Sequence, residues 1–153
     1  MVGTETFWSG IRRYYARFQN SAATSDDLRH AMEEACVAAG DKCPADGRDL
    51  SWLFRELLNR GGVLQVQGSW QYDAGARQVR VTLDQVQPGD VDTMPIEVAI
   101  STTRSGQTNG ASVQIARLTE RHHVFTFASD TEPSSVQLDP NAWVMMRAEL
   151  VKK

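Results

Sequence analysis

The apolar residues of this chain change period at one place. Before Gly61-Gly62 they recur at helical spacing, and from Leu64 onward they alternate. A pattern of period 3.6 leaves no continuous apolar face on a strand, and a pattern of period two leaves none on a helix. The chain is therefore expected to fold in two parts, a helical segment over residues 1–61 and a β-sandwich over 62–153. The expected class is α+β, with about three helices followed by an antiparallel sandwich of about seven strands.

The first helix carries Phe7, Trp8, Ile11, Tyr14, Tyr15 and Phe18 on one apolar stripe, with Arg12, Arg13 and Arg17 off it. Thr4 is the expected N-cap, and Glu5 suits the positive first turn. After QNSAAT, Thr24 or Ser25 caps a second helix with Asp26 and Asp27 in its first turn. Leu28, Ala31, Met32, Ala35 and Ala39 form its predicted buried face, and Gly40 its stop. A third helix shows Leu50, Leu53, Phe54, Leu57 and Leu58 on one side. Trp52 lies nearly opposite, so this helix is expected to meet two layers.

In the second part, Leu64, Val66, Trp70 and Tyr72 share one strand face, and Val79, Val81 and Leu83 another. Pro88-Gly89 interrupts, Ile96, Val98 and Ile100 follow, and TTRSGQTNG reads as a polar loop. Val113 and Ile115, then Val124 to Phe127, Val136 and Leu138, and Trp143 to Leu150 continue the alternation.

Composition excludes several function classes. The chain has 153 residues, net charge −3, 41% hydrophobic and 23% charged residues. Nothing in that balance supplies the basic stripe that nucleic acid requires. No apolar run approaches the about 18–20 residues that span a bilayer. MVGTETFWSGIRR has no basic region followed by an apolar one, so no signal peptide is expected, and the compartment stays open. Cys36 and Cys43 match no zinc ribbon. Two free thiols are the expectation, and a local bridge after the second helix is the sharper alternative, open only to Cα atoms within about 7 Å.

Candidate chemistry is sparse. There is no H-E-x-x-H pair, no G-x-S-x-G elbow and no phosphate-binding glycine loop. His30 reads as a helix-surface residue four positions from Glu34. His122 and His123 are adjacent, so on a strand they point to opposite faces and cannot share one ion. Tyr14 and Tyr15 sit on an apolar stripe, where packing is expected rather than catalysis. No catalytic, cofactor-binding or metal-binding residue is assigned.

FWSGIRRYYARFQNSAATSDDL resembles a segment of the zinc aminopeptidases of the aminopeptidase N type, in which F-x-x-G-[IL]-R-x-Y leads to T-x-[DE]-D-L. The matching residues are Phe7, Gly10, Ile11, Arg12 and Tyr14, then Thr24, Asp26, Asp27 and Leu28. DLSWLFRELLNRGGVLQV is similar to the end of that family's catalytic domain and its entry into a β-sandwich, through Asp49, Leu50, Ser51, Trp52 and Phe54. Leu57 stands where the family often has tryptophan, and Leu64 where it has proline. SWQYD, VRVTLDQVQ and PSSVQLDPNAWVMMRAEL resemble strands of the sandwich.

The resemblance implies the C-terminal structural portion of a zinc metallopeptidase, a hydrolase that removes N-terminal residues from peptides. Its zinc ligands, general base and transition-state tyrosine map upstream of Gly3, so none transfers to this sequence and the chain alone is expected to be inactive. No cofactor is expected in this chain, with zinc in the implied parent enzyme. The expected partners are an upstream catalytic domain of the parent, or a second copy meeting the uncovered helical face. No nucleic acid or membrane partner is expected. The competing expectation is a self-contained β-sandwich binding module with a helical cap.

Overall fold

The computed structural model describes residues 2–59, 61–104 and 107–153. The fold is α+β: three helices precede seven strands in two sheets. The chain divides into two compact units, Met1–Gly61 and Gly62–Lys153.

In the first unit, α1 (Thr4–Phe18) and α2 (Ser25–Ala39) pack on each other, followed by two short 3-10 turns. α2 begins where the sequence indicates. Thr24 is its N-cap, and the Asp27 carboxylate reaches back to the Thr24 N–H at 2.8 Å while Asp27 N–H donates to the Thr24 hydroxyl at 3.2 Å. This reciprocal pair satisfies two N–H groups left free by the first helical turn. α1 differs from expectation. Its N-cap is Gly3 rather than Thr4, and no side chain caps it.

The packing face of α1 also differs. Thr6 and Gly10 are buried, whereas Phe7, Trp8 and Tyr15 are 41%, 53% and 66% exposed. Ile11, Tyr14 and Phe18 are half-buried. Gly10 explains this arrangement: a Cβ there would overlap Met32 Sδ and come within 3.1 Å of Met32 Cα. The helices approach closely along their small residues, with Ala31, Met32, Ala35 and Cys36 buried on α2. Leu28 and Ala39, also expected on that face, are half-buried. Phe7, Trp8 and Tyr15 of the stripe consequently face away from the contact. Arg17 bridges the pair at its far end, donating to both Glu34 oxygens at 3.2 and 3.0 Å.

Cys36 and Cys43 are joined in a disulfide with a Cα separation of 5.3 Å, not left as free thiols. The 3-10 turn Gly40–Lys42, which starts at the positive-φ Gly40, reverses the chain and brings the two together. Helix α3 is short, Ser51–Phe54, and continues as a π-helical turn over Arg55–Asn59. Its expected stripe is only partly covered: Leu50 is buried, Leu53 and Phe54 are half-buried, and Leu57 and Leu58 are exposed. Trp52 is half-buried. Glu33 ties this segment to α2, accepting from Leu50 N–H at 2.8 Å while paired with Arg29.

The second unit contains β1 (Leu64–Asp73), β2 (Gln78–Gln85), β3 (Met94–Arg104), β4 (Gln107–Leu118), β5 (His122–Ala128), β6 (Ser135–Leu138) and β7 (Met146–Lys152). One sheet has the order β5-β2-β1-β7 and the other β4-β3-β6. Their inward rows form one core. Leu64, Val66, Trp70, Val79, Val81 and Leu83 come from the first sheet, and Met94, Ile96, Val98, Ile100, Ala116, Leu118, Val136 and Leu138 from the second.

Three details depart from the sequence expectation. β7 runs parallel to β1, pairing Leu64 with Met146 through Trp70 with Lys152, so that sheet is mixed rather than wholly antiparallel. β6 lies in one sheet and β7 in the other, so the chain crosses over at 139–145 and enters beside β1 in the same direction. Val113 and Ile115 lie on the outer face, because register sets Ile96 opposite Ala116 and Met94 opposite Leu118. The segment TTRSGQTNG mostly extends β3 and β4, apart from Ser105 and Gly106, which lie outside the described residues.

Two substitutions test this account of the helical unit. Gly10→Leu should overpack the α1–α2 contact and cost about 1–3 kcal/mol, read as a lower urea midpoint. Replacing Cys36 and Cys43 together by serine opens a short loop and should cost about 2–3 kcal/mol. Thiol titration should count two reactive cysteines in the parent chain only after reduction. Two thiols titrating without reductant would show the bridge is absent.

Candidate functional site

The histidines His30, His122 and His123 are not brought together in one site. His30 is exposed on α2, with its Nε2 2.9 Å from an Arg29 guanidinium nitrogen. His122 faces outward on β5 and pairs with Asp84 at 2.6 Å. His123 lies on the inward row, where its ring stacks on Phe125 at 5.3 Å. Its Nε2 accepts from the N–H groups of Thr119 and Glu120, each at 2.9 Å. An imidazole nitrogen that accepts two backbone donors has no lone pair left for a metal. The two neighbours point apart, as alternation requires. Tyr14 packs on Phe18 at 5.4 Å, and Tyr15 is exposed.

Among the described residues, no group of three or more His, Cys, Asp or Glu side chains is arranged to hold a metal ion. The donor chemistry present does not fit a zinc site. His122 and His123 diverge, and both cysteines are consumed in the disulfide.

The most developed polar cluster was not singled out from the sequence. Gln85 and Gln87 continue the inward row of β2 past Leu83, where the apolar core ends, and both are buried. The Gln85 amide donates to the carbonyls of Asp92 and Glu120 at 2.9 and 3.0 Å. Its oxygen accepts from Gln87 Nε2 at 2.7 Å and Asp92 N–H at 2.8 Å. All four hydrogen-bonding positions of that amide are therefore filled. Arg121 closes the cluster by donating to the carbonyls of Gln85, Gln87 and Gly89. A network so fully paired holds the β2–β3 connection against the turn before β5 and leaves no group free to react. The available signal was the unbroken alternation from Val79 to Gln87, which places two glutamines in line with the core.

Two open depressions lie in the helical unit. One, of about 430 Å³, is lined by Arg13, His30, Glu33, Glu34, Val37 and Ala38. Its carboxylates are already engaged. Glu33 holds Arg29 and Leu50 N–H, and the Arg17 guanidinium beside Glu34 keeps that carboxyl below its usual range. The same pairing raises Arg17. Neither acid is placed as a general base. The other depression, of about 490 Å³, opens beside the start of α1.

No family model matches the chain. It is 28% identical over 139 residues to an aminopeptidase N of Haemophilus influenzae, covering 83% of this chain and 15% of that relative. Its fold matches the crystal structure of Legionella pneumophila aminopeptidase A in complex with aspartic acid, with a TM-score of 0.73 and 15% identity, covering 97% of this chain and 16% of that one. The chain thus spans about a sixth of the length of these proteins. The sequence is weakly similar to one aminopeptidase, and the fold is shared with another.

The best-defined electrostatic feature on these helices is the α2 cap. Hydrogen bonds from the Thr24 backbone N–H, and then from its hydroxyl, hold the Asp27 carboxyl below its ordinary value. A carboxyl lowered in the folded state contributes stability above its unfolded pKa and loses it as pH falls through the folded value. The urea midpoint should therefore drop below about pH 4, and Asp27→Asn should lower it at neutral pH while flattening the acid limb. An acid limb identical in the two proteins would remove Asp27 from the account.

Proposed function

We propose that this chain is the C-terminal structural portion, helices plus β-sandwich, of a zinc-dependent aminopeptidase that hydrolyses N-terminal residues from peptides. On this reading it backs and supports a catalytic domain whose chemistry lies elsewhere in the parent. The observation that carries the reading is the extent of the likeness. Both the sequence similarity and the fold similarity run through the helices and the sandwich in the same order, and each covers only a small share of a much longer aminopeptidase.

The residues of this chain agree with a supporting role. The histidines and acids described above are held in local pairs, and among the described residues no donor group fits zinc, so no catalytic step is routed through them. α1 meanwhile presents Phe7, Trp8 and Tyr15 beside the exposed Arg12. Covering large apolar side chains of this kind is worth roughly 1.5–3 kcal/mol each, whereas an exposed ion pair contributes about 0–1 kcal/mol. The aromatic face therefore outweighs the surface charges as a basis for association. On this reading it is where the catalytic portion of the parent packs.

A second reading, a self-contained binding module, is favoured by one observation. The turn at 139–145 holds Trp143 and Met145 at 76% and 83% exposure. Asp139 braces this turn by accepting from the N–H groups of Trp143 and Val144 at 3.0 and 2.8 Å. A rigid turn that displays a tryptophan suits surface recognition.

Metal analysis and an aminoacyl-anilide assay on the purified 153-residue chain test the first reading. The expected result is no stoichiometric zinc and no turnover, together with self-association in light scattering that weakens in Trp8→Lys. Robust zinc-dependent turnover would sink it. A strictly monomeric chain whose binding partner is lost on Trp143→Ala would favour the module.

A further inference from the structure

We infer that the Cys36–Cys43 bridge is a redox lock: the helical unit is completed only where a small-molecule disulfide or equivalent oxidant closes it, and once closed it is shielded from thiol reductants. The inference does not rest on the aminopeptidase reading, and no peptidase assay enters its test.

The bridge sits where the helical unit has little apolar material to hold it. α2 ends at Ala39, and Gly40 turns the chain at φ 59° into the 3-10 turn Gly40–Lys42. From there to Leu50, the described residues that reach the interior are Cys43, Gly47 and Leu50. Backbone bonds inside this stretch are local: Cys43 N–H donates to Gly40 C=O at 3.1 Å and Gly47 N–H to Pro44 C=O at 2.9 Å. The stretch is tied back to α2 by the Leu50 N–H, which donates to Glu33 at 2.8 Å, and by the disulfide to Cys36. A hydrogen bond contributes modestly beside a covalent link, so the link decides whether segment 40–50 stays docked.

The sulfurs are also covered. Cys36 is 0% and Cys43 3% exposed. Gly47 lies over both: a Cβ there would come 2.8 Å from Cys43 Sγ, 2.9 Å from Cys36 Sγ and 2.9 Å from Val2 Cγ1. Reduction requires a thiolate to attack one sulfur directly. Against this bridge that space is filled by Gly47 and Val2. A reductant therefore reaches the bond only when segment 40–50 lifts from α2, which is the motion the closed bridge opposes.

Closure runs by exchange, before Gly47 seats. One cysteine thiolate attacks the oxidant's disulfide, expels one small thiol and leaves a mixed disulfide; the second cysteine thiolate then displaces the other small thiol. Two protein thiols and one small disulfide thus become one protein disulfide and two small thiols, with two electrons passing to the oxidant. Such oxidants are supplied in secretory and periplasmic compartments and are scarce in a reducing cytosol. The helical unit accordingly belongs to an oxidising compartment.

Acid-quenched alkylation and mass spectrometry test this on the full chain, made once in a reducing cytosol and once with export to an oxidising periplasm. The exported chain should carry no alkylated cysteine, and the cytosolic chain two, until glutathione disulfide is added. Glutathione should then reduce the native bridge at least about tenfold more slowly than the bridge of the urea-unfolded chain. Leu50→Ala, which loosens the other end of the segment, should speed reduction of the native bridge severalfold; if that variant misfolds, the rate comparison on the unaltered chain carries the test. A bridge already closed in the cytosolic chain, two free thiols in the exported chain, or equal reduction rates with and without urea would overturn the lock.

Discussion

The apolar layer shared by the two sheets constrains everything else in the second unit. Ile96 and Val98 on β3 and Val79, Val81 and Leu83 on β2 are almost fully buried. Side chains alternate along a strand, so fixing these rows fixes the facing of every paired residue. Ala116 and Leu118 are thereby drawn inward on β4, and Val113 and Ile115 are left outside. The row of β2 does not end with the core, and its next two members are Gln85 and Gln87. Burying those amides unpaired would cost several kcal/mol, roughly 2–7 in an apolar surrounding. The Asp92, Glu120 and Arg121 contacts exist because that row runs on.

In the helical unit, close approach takes the place of apolar volume. The α1–α2 contact is made by Thr6, Gly10, Ala31 and Ala35, with Met32 filling the space beside Gly10. Small side chains let the backbones approach but bury little area. The capping box at Thr24, the Arg17–Glu34 pair and the Cys36–Cys43 bridge add directional and covalent ties to this lean contact. The disulfide closes α2 onto the turn that follows it. Gly47 lies so close to both sulfurs that a Cβ there would come within 2.9 Å of each.

The period change at Gly61-Gly62 made the fold class legible, because 3.6 and 2 are incompatible patterns. The α2 cap was legible too, since Thr24 and Asp27 stand at the spacing a capping box needs. The packing face of α1 was not. Periodicity locates an apolar stripe but does not say which neighbour meets it, and Gly10 scores as nothing on a hydrophobicity pattern. The parallel pairing of β7 escaped for a similar reason, since alternation carries no strand direction. The disulfide depended on how the 3-10 turn at Gly40–Lys42 folds back, which no spacing rule expresses. Among site residues, the separation of His122 and His123 followed from alternation alone, whereas the depression beside Thr6 needed the helix pair in three dimensions.

These two modes of packing divide the chain's surface chemically. In the sandwich, the two glutamines that continue the inward row of β2 are paired, so hydrogen bonding is complete at the Gln85 amide. On α1 the close contact with α2 uses only the small-residue face and leaves two things over. The side of the helix keeps exposed aromatics, and its start keeps N–H groups with no helical acceptor. Apolar surface can be covered only by more protein or a similar bulk, whereas free N–H groups are met by a small acceptor. One helix, packed through glycine and threonine, therefore carries the exposed aromatic face on which a protein contact would form.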